Sequence, residues 1–217
     1  MYSQGVNSTQ DSAAAAGTPP ASTQERLVVS TQELLWERGY VGTSPKAILQ
    51  RAGVGQGSMY HHFAGKSDLA LAAIRRTAED MRTAAEEILT APGTAYDRVA
   101  AYLLRERQVL RGCPIGRMTQ DRDVVQDPDL RAPLDAMFGW LQHRIAEVLA
   151  EGQRRGELSA ALDPAATAAS VAAVVQGGYV LARAAEDAAP FDAAVHGLLA
   201  LLAAQTTPPP ASEPRTP

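Results

Sequence analysis

Apolar side chains recur every three or four residues along most of this chain, and they nowhere alternate with polar ones over the length of a strand. At the start of the pattern, Leu27, Thr31, Leu34 and Leu35 share one face of a helix. Alanine and leucine are abundant, whereas aromatic residues make up 5% of the sequence, and this composition favours helices over sheets. We therefore predict an all-α protein with about nine helices.

Capping and breaking residues indicate where several helices begin and end. Gly39 is expected to end the first helix, Thr43 to cap a short second one, and Gly53 to stop it. Asp127 and Asp163 are each followed by a proline, which is harmless at the first helical position because its missing N–H has no partner there. Each aspartate is expected to cap a long helix.

Composition divides the chain into four segments. Residues 1–22 and 205–217 are rich in small residues and proline and are expected to be disordered tails. Between them, residues 23–67 are predicted to form a domain of three short helices. Residues 68–204 are predicted to form a larger helical bundle.

The expected compartment is the cytoplasm, without a membrane partner. The N-terminal stretch lacks the basic start and the leucine-rich segment of a signal peptide, and no apolar run reaches about 18 residues. The single cysteine, Cys113, excludes an internal disulfide and a multi-cysteine metal site.

The glycine-rich stretch RAGVGQGSMYHHFAGK, residues 51–66, allows two interpretations. A dinucleotide loop needs G-x-G-x-x-G directly after a strand, but here a helical pattern precedes the glycines and their spacing differs. A Walker loop needs a glycine five residues before its Gly-Lys pair, and that position is Tyr60. The nucleotide interpretation therefore fails.

A helix-turn-helix fits the same stretch position by position. Gly53 can take the left-handed conformation that ends one helix, and Val54 can fill the angle between the two helices. Gly55 to Gly57 let the start of the next helix approach a surface closely. Ser58, Tyr60 and His61 follow and suit contacts with phosphates or base edges, whereas Met59 and Phe63 are expected to be buried.

The distribution of charge favours a polyanionic partner for this part of the chain. The whole sequence has a net charge of −4, yet Asp68 is the sole acidic residue between positions 38 and 76. A positive patch on an acidic protein suggests one face that meets a polyanion. The basic residues in that range are Arg38, Lys46, Arg51, Lys66, Arg75 and Arg76.

Residues 25–74 resemble the DNA-binding domain of the TetR family of bacterial repressors. The resemblance runs without a gap and includes RGY, TS, AGVGQGSMYHHF and K-x-x-L. The sequence departs from the usual family pattern at Leu35, at Ser30-Thr31, at Gly55, where a capping serine is common, and at Gln56, where lysine is frequent. We expect the change at Gln56 to alter which bases are preferred.

The resemblance implies a homodimer whose N-terminal domains bind a palindromic DNA operator and whose C-terminal bundle binds a small inducer. Carried over by position, one set of side chains would contact phosphates: Thr43, Lys46, Tyr60 and Lys66. A second set would lie at the bases: Gln56, Gly57, Ser58 and His61. The residue chemistry agrees, because glutamine can form two hydrogen bonds with adenine.

A ligand pocket is expected in the bundle, lined by apolar walls and a few polar groups. Gln176 and Tyr179 are the expected polar pair, because each needs a partner inside an alanine-rich helix. The alternative for about half of these pocket candidates is that they are ordinary residues of the hydrophobic core. The expected lining is Tyr102, Leu103, Cys113, Met118, Met137, Phe138, Trp140, Gln176 and Tyr179.

Two further features of the bundle, its single cysteine and a helix rich in small residues, suggest roles in sensing and in dimerisation. Cys113 lies at a break between helices, with Arg111 and Arg117 near in sequence, and cationic surroundings make thiols more reactive. It is either an oxidant or electrophile sensor or, as single cysteines usually are, a small buried residue. The helix from Asp163 to Glu186 is rich in small residues, which suits a two-fold interface with the final helix.

No metal, cofactor or catalytic set is expected. His61 and His62 are adjacent, so they point about 100° apart on a helix, and we expect His61 to contact DNA and His62 to pack inside. The acidic residues 121–129 lack the glycine and glutamate of a calcium loop and are interpreted as solvated charge plus a helix cap. The alternative to a regulator is a helical ligand-binding or interaction module without DNA binding, with an enzyme third.

Overall fold

The computed structural model describes residues 22–207, and most of both predicted tails lies outside the described residues. The described part of the chain is all-α, which confirms the predicted fold class. Its helices are α1 (Thr23–Arg38), α2 (Pro45–Ala52), α3 (Gln56–His62), α4 (Lys66–Leu89), α5 (Ala95–Leu104), α6 (Pro114–Met118), α7 (Arg122–Gln126), α8 (Pro128–Arg154), α9 (Pro164–Ala185) and α10 (Ala189–Ala203), with a 3₁₀ turn at Val109–Arg111.

Turn residues in the N-terminal domain behave largely as expected. Gly39 ends α1 with a φ of 75°, and Gly53 ends α2 in the left-handed conformation, with φ 62° and ψ 39°. The prediction that Thr43 caps α2 is wrong. Ser44 is the cap, since its hydroxyl accepts a hydrogen bond from the Ala47 N–H, whereas the Thr43 hydroxyl donates to the Gly39 carbonyl.

A shared apolar core holds α1, α2 and α3 against the start of α4. The predicted inward face of α1 is confirmed, and its Thr31 is accommodated because its hydroxyl donates to the Leu27 carbonyl at 2.7 Å. Fully burying one large apolar side chain stabilises a fold by about 1.5–3 kcal/mol. The largest fully buried side chains of this domain are Leu27, Leu34, Ile48, Met59, Leu69 and Ile74.

The larger bundle consists of α4, α5, α8, α9 and α10. Asp127 and Asp163 cap α8 and α9 as predicted, each accepting hydrogen bonds from the backbone N–H groups two and three residues further on. Helix α8 packs against α4, α5 and α9, and α10 packs against α9. The approach of α8 to α5 is close, because a Cβ at Gly152 would lie 2.5 Å from that of Ala95.

Helix α4 joins the two parts, since it packs against both α1 and α8. The boundary predicted between residues 67 and 68 therefore falls in the first turn of a continuous helix. Ser22 belongs to α1 as its cap. The expectation that a disordered tail begins at residue 205 is wrong for residues 205–207, whose backbone forms hydrogen bonds with Glu157 and Ser159.

Helix α9 is long and apolar enough to cross a membrane by length and composition alone, which corrects the expectation that no such stretch exists. One such helix is weak evidence for a membrane, because core helices of soluble proteins have the same composition. In the described part of the chain α9 packs along both α8 and α10.

Candidate nucleic-acid interface and ligand cavities

Helix α3 presents most of its predicted contact residues to solvent. Gln56, Gly57, Tyr60 and His61 are exposed, Tyr60 by 55%, and Ser58 is half-buried. The structure therefore brings these side chains together on the outer surface of one short helix, and none of them is acidic.

The opposite side of α3 attaches the helix to the domain. Met59 is the single buried residue within the seven residues of α3, and Phe63, which follows the helix, is buried too. This confirms the predicted inward positions. An isolated helix of this length is not stable in water, so contact with the core must hold α3 in place.

Gly55 and Gly57 are not required by internal packing. A Cβ at either position would meet no heavy atom within 4 Å. Gly55 has a φ of −78°, which any residue adopts, and it leaves α3 without a side-chain cap at a cost of about a few tenths of a kcal/mol. The two glycines leave the start of α3 bare, so that an external surface can reach its backbone N–H groups.

The basic residues near α3 are only partly available to a polyanion. Arg51 pairs with Glu37 at 2.9 Å, and Arg76 pairs with Glu25 at 3.2 Å. Lys46 is exposed and, among the described residues, forms no ion pair.

Lys66 lies against Tyr40 at the start of α4. Its Nζ is 4.0 Å from the centre of the Tyr40 ring, a cation–π geometry. Partial burial lowers the pKa of the Lys66 ammonium, and the carboxylates of Asp121 and Asp123 oppose that shift. The charge is thus held half-buried beside the turn between α1 and α2.

Two predictions for this surface are wrong. Thr43 is 1% exposed and its hydroxyl already donates to a backbone carbonyl, so its side chain has neither the exposure nor a free donor for a phosphate. His62, expected to pack inside, is exposed, with its ring edge-on to His61 at 4.9 Å between centres. The inward position belongs to Phe63, one residue further on.

Two neighbouring cavities lie on either side of Cys113, in the segment between α5 and α6. One, of about 320 Å³, lies between α6 and α9. The other, of about 470 Å³, lies between α1, α4 and the segment that follows α5. Gly112, Cys113 and Tyr179 line both.

The predicted pocket residues divide into two groups. Cys113 and Tyr179 line both cavities and Gln176 lines the smaller one. The others do not line either cavity. The faces of α5, α6 and α8 that carry them turn into the core or, as with Trp140, toward α4, where its ring lies under the Arg82 guanidinium at 5.1 Å. These are Tyr102, Leu103, Met118 and Met137, which are buried, and Phe138 and Trp140, which are partly buried.

Four arginines at the cavities were not predicted. Arg105 and Arg107 line the larger cavity, and Arg117 and Arg183 line the smaller one. The basic run from Arg105 to Arg111 was visible in the sequence, but nothing there indicated that it turns inward. The Arg107 guanidinium donates to the backbone carbonyls of Tyr102, Leu103 and Arg105, which fixes its position.

Residues 111–121 connect the cavities with the N-terminal domain. The Trp36 indole N–H donates to the Gly112 carbonyl at 3.0 Å, and the Arg111 guanidinium stacks on the Trp36 ring at 3.6 Å. Asp121 Oδ2 accepts hydrogen bonds from the Tyr40 and Val41 N–H groups at 2.7 and 3.1 Å. Asp121 was interpreted as solvated charge, and that interpretation is wrong because the carboxylate binds the turn before α2.

Cys113 occupies the cap position of α6. Its Sγ accepts a hydrogen bond from the Gly116 N–H at 3.2 Å, and the residue is buried between the two cavities. The prediction that it lies at a break between helices is confirmed. Whether this thiol reacts with a ligand stays a prediction.

The exposed helix α3, the left-handed turn at Gly53 and the helical bundle behind them define a helix-turn-helix transcriptional regulator. The family model described as "Bacterial regulatory proteins, tetR family" matches residues 27–73. The one described as "Tetracyclin repressor-like, C-terminal domain" matches residues 93–198. The chain belongs to the TetR family, which confirms the resemblance seen in its sequence.

Relatives from several bacteria support this assignment. An HTH-type transcriptional regulator of Mycobacterium tuberculosis (strain CDC 1551 / Oshkosh) is 30% identical over 194 residues, which is 84% of this chain and 95% of that protein. The transcriptional regulator AcuR of Cereibacter sphaeroides is 32% identical over 160 residues, 70% of this chain and 73% of AcuR. The crystal structure of a TetR transcriptional regulator from Chloroflexus aurantiacus J-10-FL superposes with a TM-score of 0.77 at 29% identity and covers 85% of this chain and 96% of that one. All three are transcriptional regulators rather than enzymes.

Proposed function

We propose that this protein is a ligand-responsive repressor of the cytoplasm, which binds a palindromic DNA operator as a homodimer and is released by a small-molecule inducer. The observation that carries the proposal is the outer face of α3, where exposed polar side chains follow two glycines that internal packing does not require. A recognition helix that enters the major groove needs such a face.

The contacts with DNA divide between phosphates and bases. Lys46, Tyr60 and Lys66 bind phosphate oxygens, since they combine a donor with a position at the edge of the α3 surface. Gln56, Gly57, Ser58 and His61 lie at the base edges, where glutamine suits adenine. These two lists keep every predicted contact except Thr43.

Homodimerisation is supported by an apolar surface on α9 and α10. Exposed small and apolar residues recur every three or four positions along both helices, so two copies can approach closely and bury these faces in a four-helix interface. The exposed positions are Ala169, Ala173, Gly177 and Leu181 on α9, and Gly197, Ala200 and Leu201 on α10. Val180 and Ala184 are exposed on α9 too, but they line the smaller cavity.

Residues 111–121 provide the route from ligand to DNA. The same segment contributes Cys113 and Arg117 to the cavities and holds the N-terminal domain through Gly112 and Asp121. A ligand that favours another position of this segment shifts the spacing of the two recognition helices. The ligand must bind that state more tightly, since equal affinity would shift nothing.

Fluorescence anisotropy of the purified protein on DNA from its own upstream intergenic region tests the proposal, with a scrambled duplex measured at two salt concentrations. We expect Tyr60→Ala to weaken specific binding about 10- to 100-fold, because one hydrogen bond with a charged phosphate is lost. Lys66→Ala should also weaken binding. It should reduce the slope of log K against log salt concentration by about 1, because one phosphate contact fewer releases a counterion.

The control is Arg154→Ala, which removes an exposed cation from the last turn of α8, outside the α3 surface, and should leave operator affinity unchanged. Equal, weak binding to the specific and scrambled duplexes would favour the alternative, a helical ligand-binding or interaction module without DNA binding.

A further inference from the structure

The arginines around the two cavities lack the carboxylate partners that others in the fold have. Among residues 22–207, Arg105, Arg107, Arg117 and Arg183 have no acidic side chain within 4.0 Å, and the Nε atoms of the first three are buried without an acceptor. An uncompensated charge in a low-dielectric surrounding is costly, which applies to the partly buried Arg105, Arg107 and Arg117, whereas Arg183 is exposed and adds its charge to the lining of the smaller cavity. Arginines that do pair with carboxylates are Arg51, Arg76, Arg98, Arg111, Arg144 and Arg155.

The smaller cavity combines positive charge with unused hydrogen-bonding groups. Arg117 and Arg183 are its charged lining residues, and no acidic side chain lines it. Gln176 and Tyr179 also line it, and neither side chain has a hydrogen-bond partner among the described residues. Gly116 makes room for Gln176, since a Cβ there would lie 2.2 Å from the amide oxygen.

The larger cavity adds an apolar wall next to this polar one. Trp36, Met81 and Ile88 line it, and it meets the smaller cavity at Cys113 and Tyr179. Its lining also includes one carboxylate, Glu106, so the smaller cavity is the one that suits an anionic group. A ligand with one polar end and one apolar end therefore finds both environments within a short distance.

Neighbouring charges at these cavities repel one another. Burial and the neighbouring Arg105 lower the pKa of Arg107. Burial and Arg183 lower the pKa of Arg117, while Asp121 opposes that shift. An anion placed between Arg117 and Arg183 would relieve this repulsion.

We propose that the inducer is a small organic acid, whose carboxylate binds between Arg117 and Arg183 near the Gln176 amide and the Tyr179 hydroxyl. Its apolar remainder lies toward Trp36 and Ile88. Guanidinium groups suit this role because their planar array of N–H donors matches a carboxylate. The proposal rests on the proposed function, in that it takes these cavities as the inducer site.

Isothermal titration calorimetry with the full chain tests the proposal, using benzoate and hexanoate against their neutral amides benzamide and hexanamide. We expect each acid to bind more tightly than its amide. Arg117→Gln and Arg183→Gln, made separately, should each weaken binding of the acids about tenfold or more and leave that of the amides unchanged. Arg183 is exposed on α9, so its replacement leaves the fold intact, and Arg154→Gln is the matched control.

Three results would overturn the anionic ligand class: acids and amides that bind equally, acids that do not bind, or acid affinities that both cavity variants leave unchanged. Operator binding by anisotropy is measured on the same preparations without ligand. If the wild-type protein did not bind its DNA specifically, the proposed function would be contradicted. The comparison of acids with amides would still decide which class of ligand the cavities bind.

Discussion

Leu201→Arg is expected to convert the protein to a monomer and to lower its operator affinity about 10²- to 10⁴-fold, the range over which linking two binding units raises affinity. Leu201 is 71% exposed in the single chain and lies on the apolar face of α10 next to Gly197 and Ala200. An arginine there would be desolvated in the proposed four-helix interface without a partner. Light scattering after size-exclusion chromatography gives the mass, and anisotropy gives the affinity.

Leu104→Arg is the matched control, because Leu104 is 55% exposed but is the last residue of α5, outside the two helices of the proposed interface. This variant should stay dimeric and bind the operator as the wild type does. A dimeric Leu201→Arg protein with full affinity would show that α9 and α10 do not form the interface.

Met59→Ala is expected to lower the free energy of unfolding by about 2–5 kcal/mol, the usual cost of removing a buried methionine side chain from a core. Met59 is fully buried and is the one residue by which the short helix α3 enters the core. The same variant should lose operator binding, because α3 would no longer be held in position. Urea unfolding followed by circular dichroism measures the stability.

Gln56→Ala separates the two effects, since Gln56 is exposed on the same helix. Its free energy of unfolding should stay within about 0.5 kcal/mol of the wild type, while its preference among operator bases changes. If Met59→Ala unfolded at the same urea concentration as the wild type, α3 would not depend on this contact.

Local signals in the sequence were sufficient for several helix boundaries, both in the N-terminal domain and in the bundle. Gly39 and Gly53 mark helix ends because few other residues adopt positive φ, and Asp127 and Asp163 mark helix starts because their side chains satisfy free N–H groups. Thr43 was placed wrongly because Thr43 and Ser44 are both good caps and neighbours in sequence. The choice between them depends on the Gly39 carbonyl, which is a contact made by the folded turn.

The two cavities were predictable only in part, because they depend on which helix faces meet. Gln176 and Tyr179 were found from their polarity within an alanine-rich helix. Met137 and Trp140 have the composition of a pocket wall, but the rotation of α8 places one in the core and the other near α4. Asp121 contacts a turn about 80 residues earlier in the chain, and local sequence carries no signal for such a contact.

In the proposed complex, two copies of this chain place two α3 helices in one operator. Hydroxyl-radical footprinting of the wild-type protein on its upstream DNA tests it most directly. We predict two protected regions of equal strength, related by a two-fold axis and about one helical turn of 34–36 Å apart, or a multiple of it. A single protected region without symmetry, or no protection at concentrations where the dimer is formed, would contradict binding of a two-fold dimer to this operator.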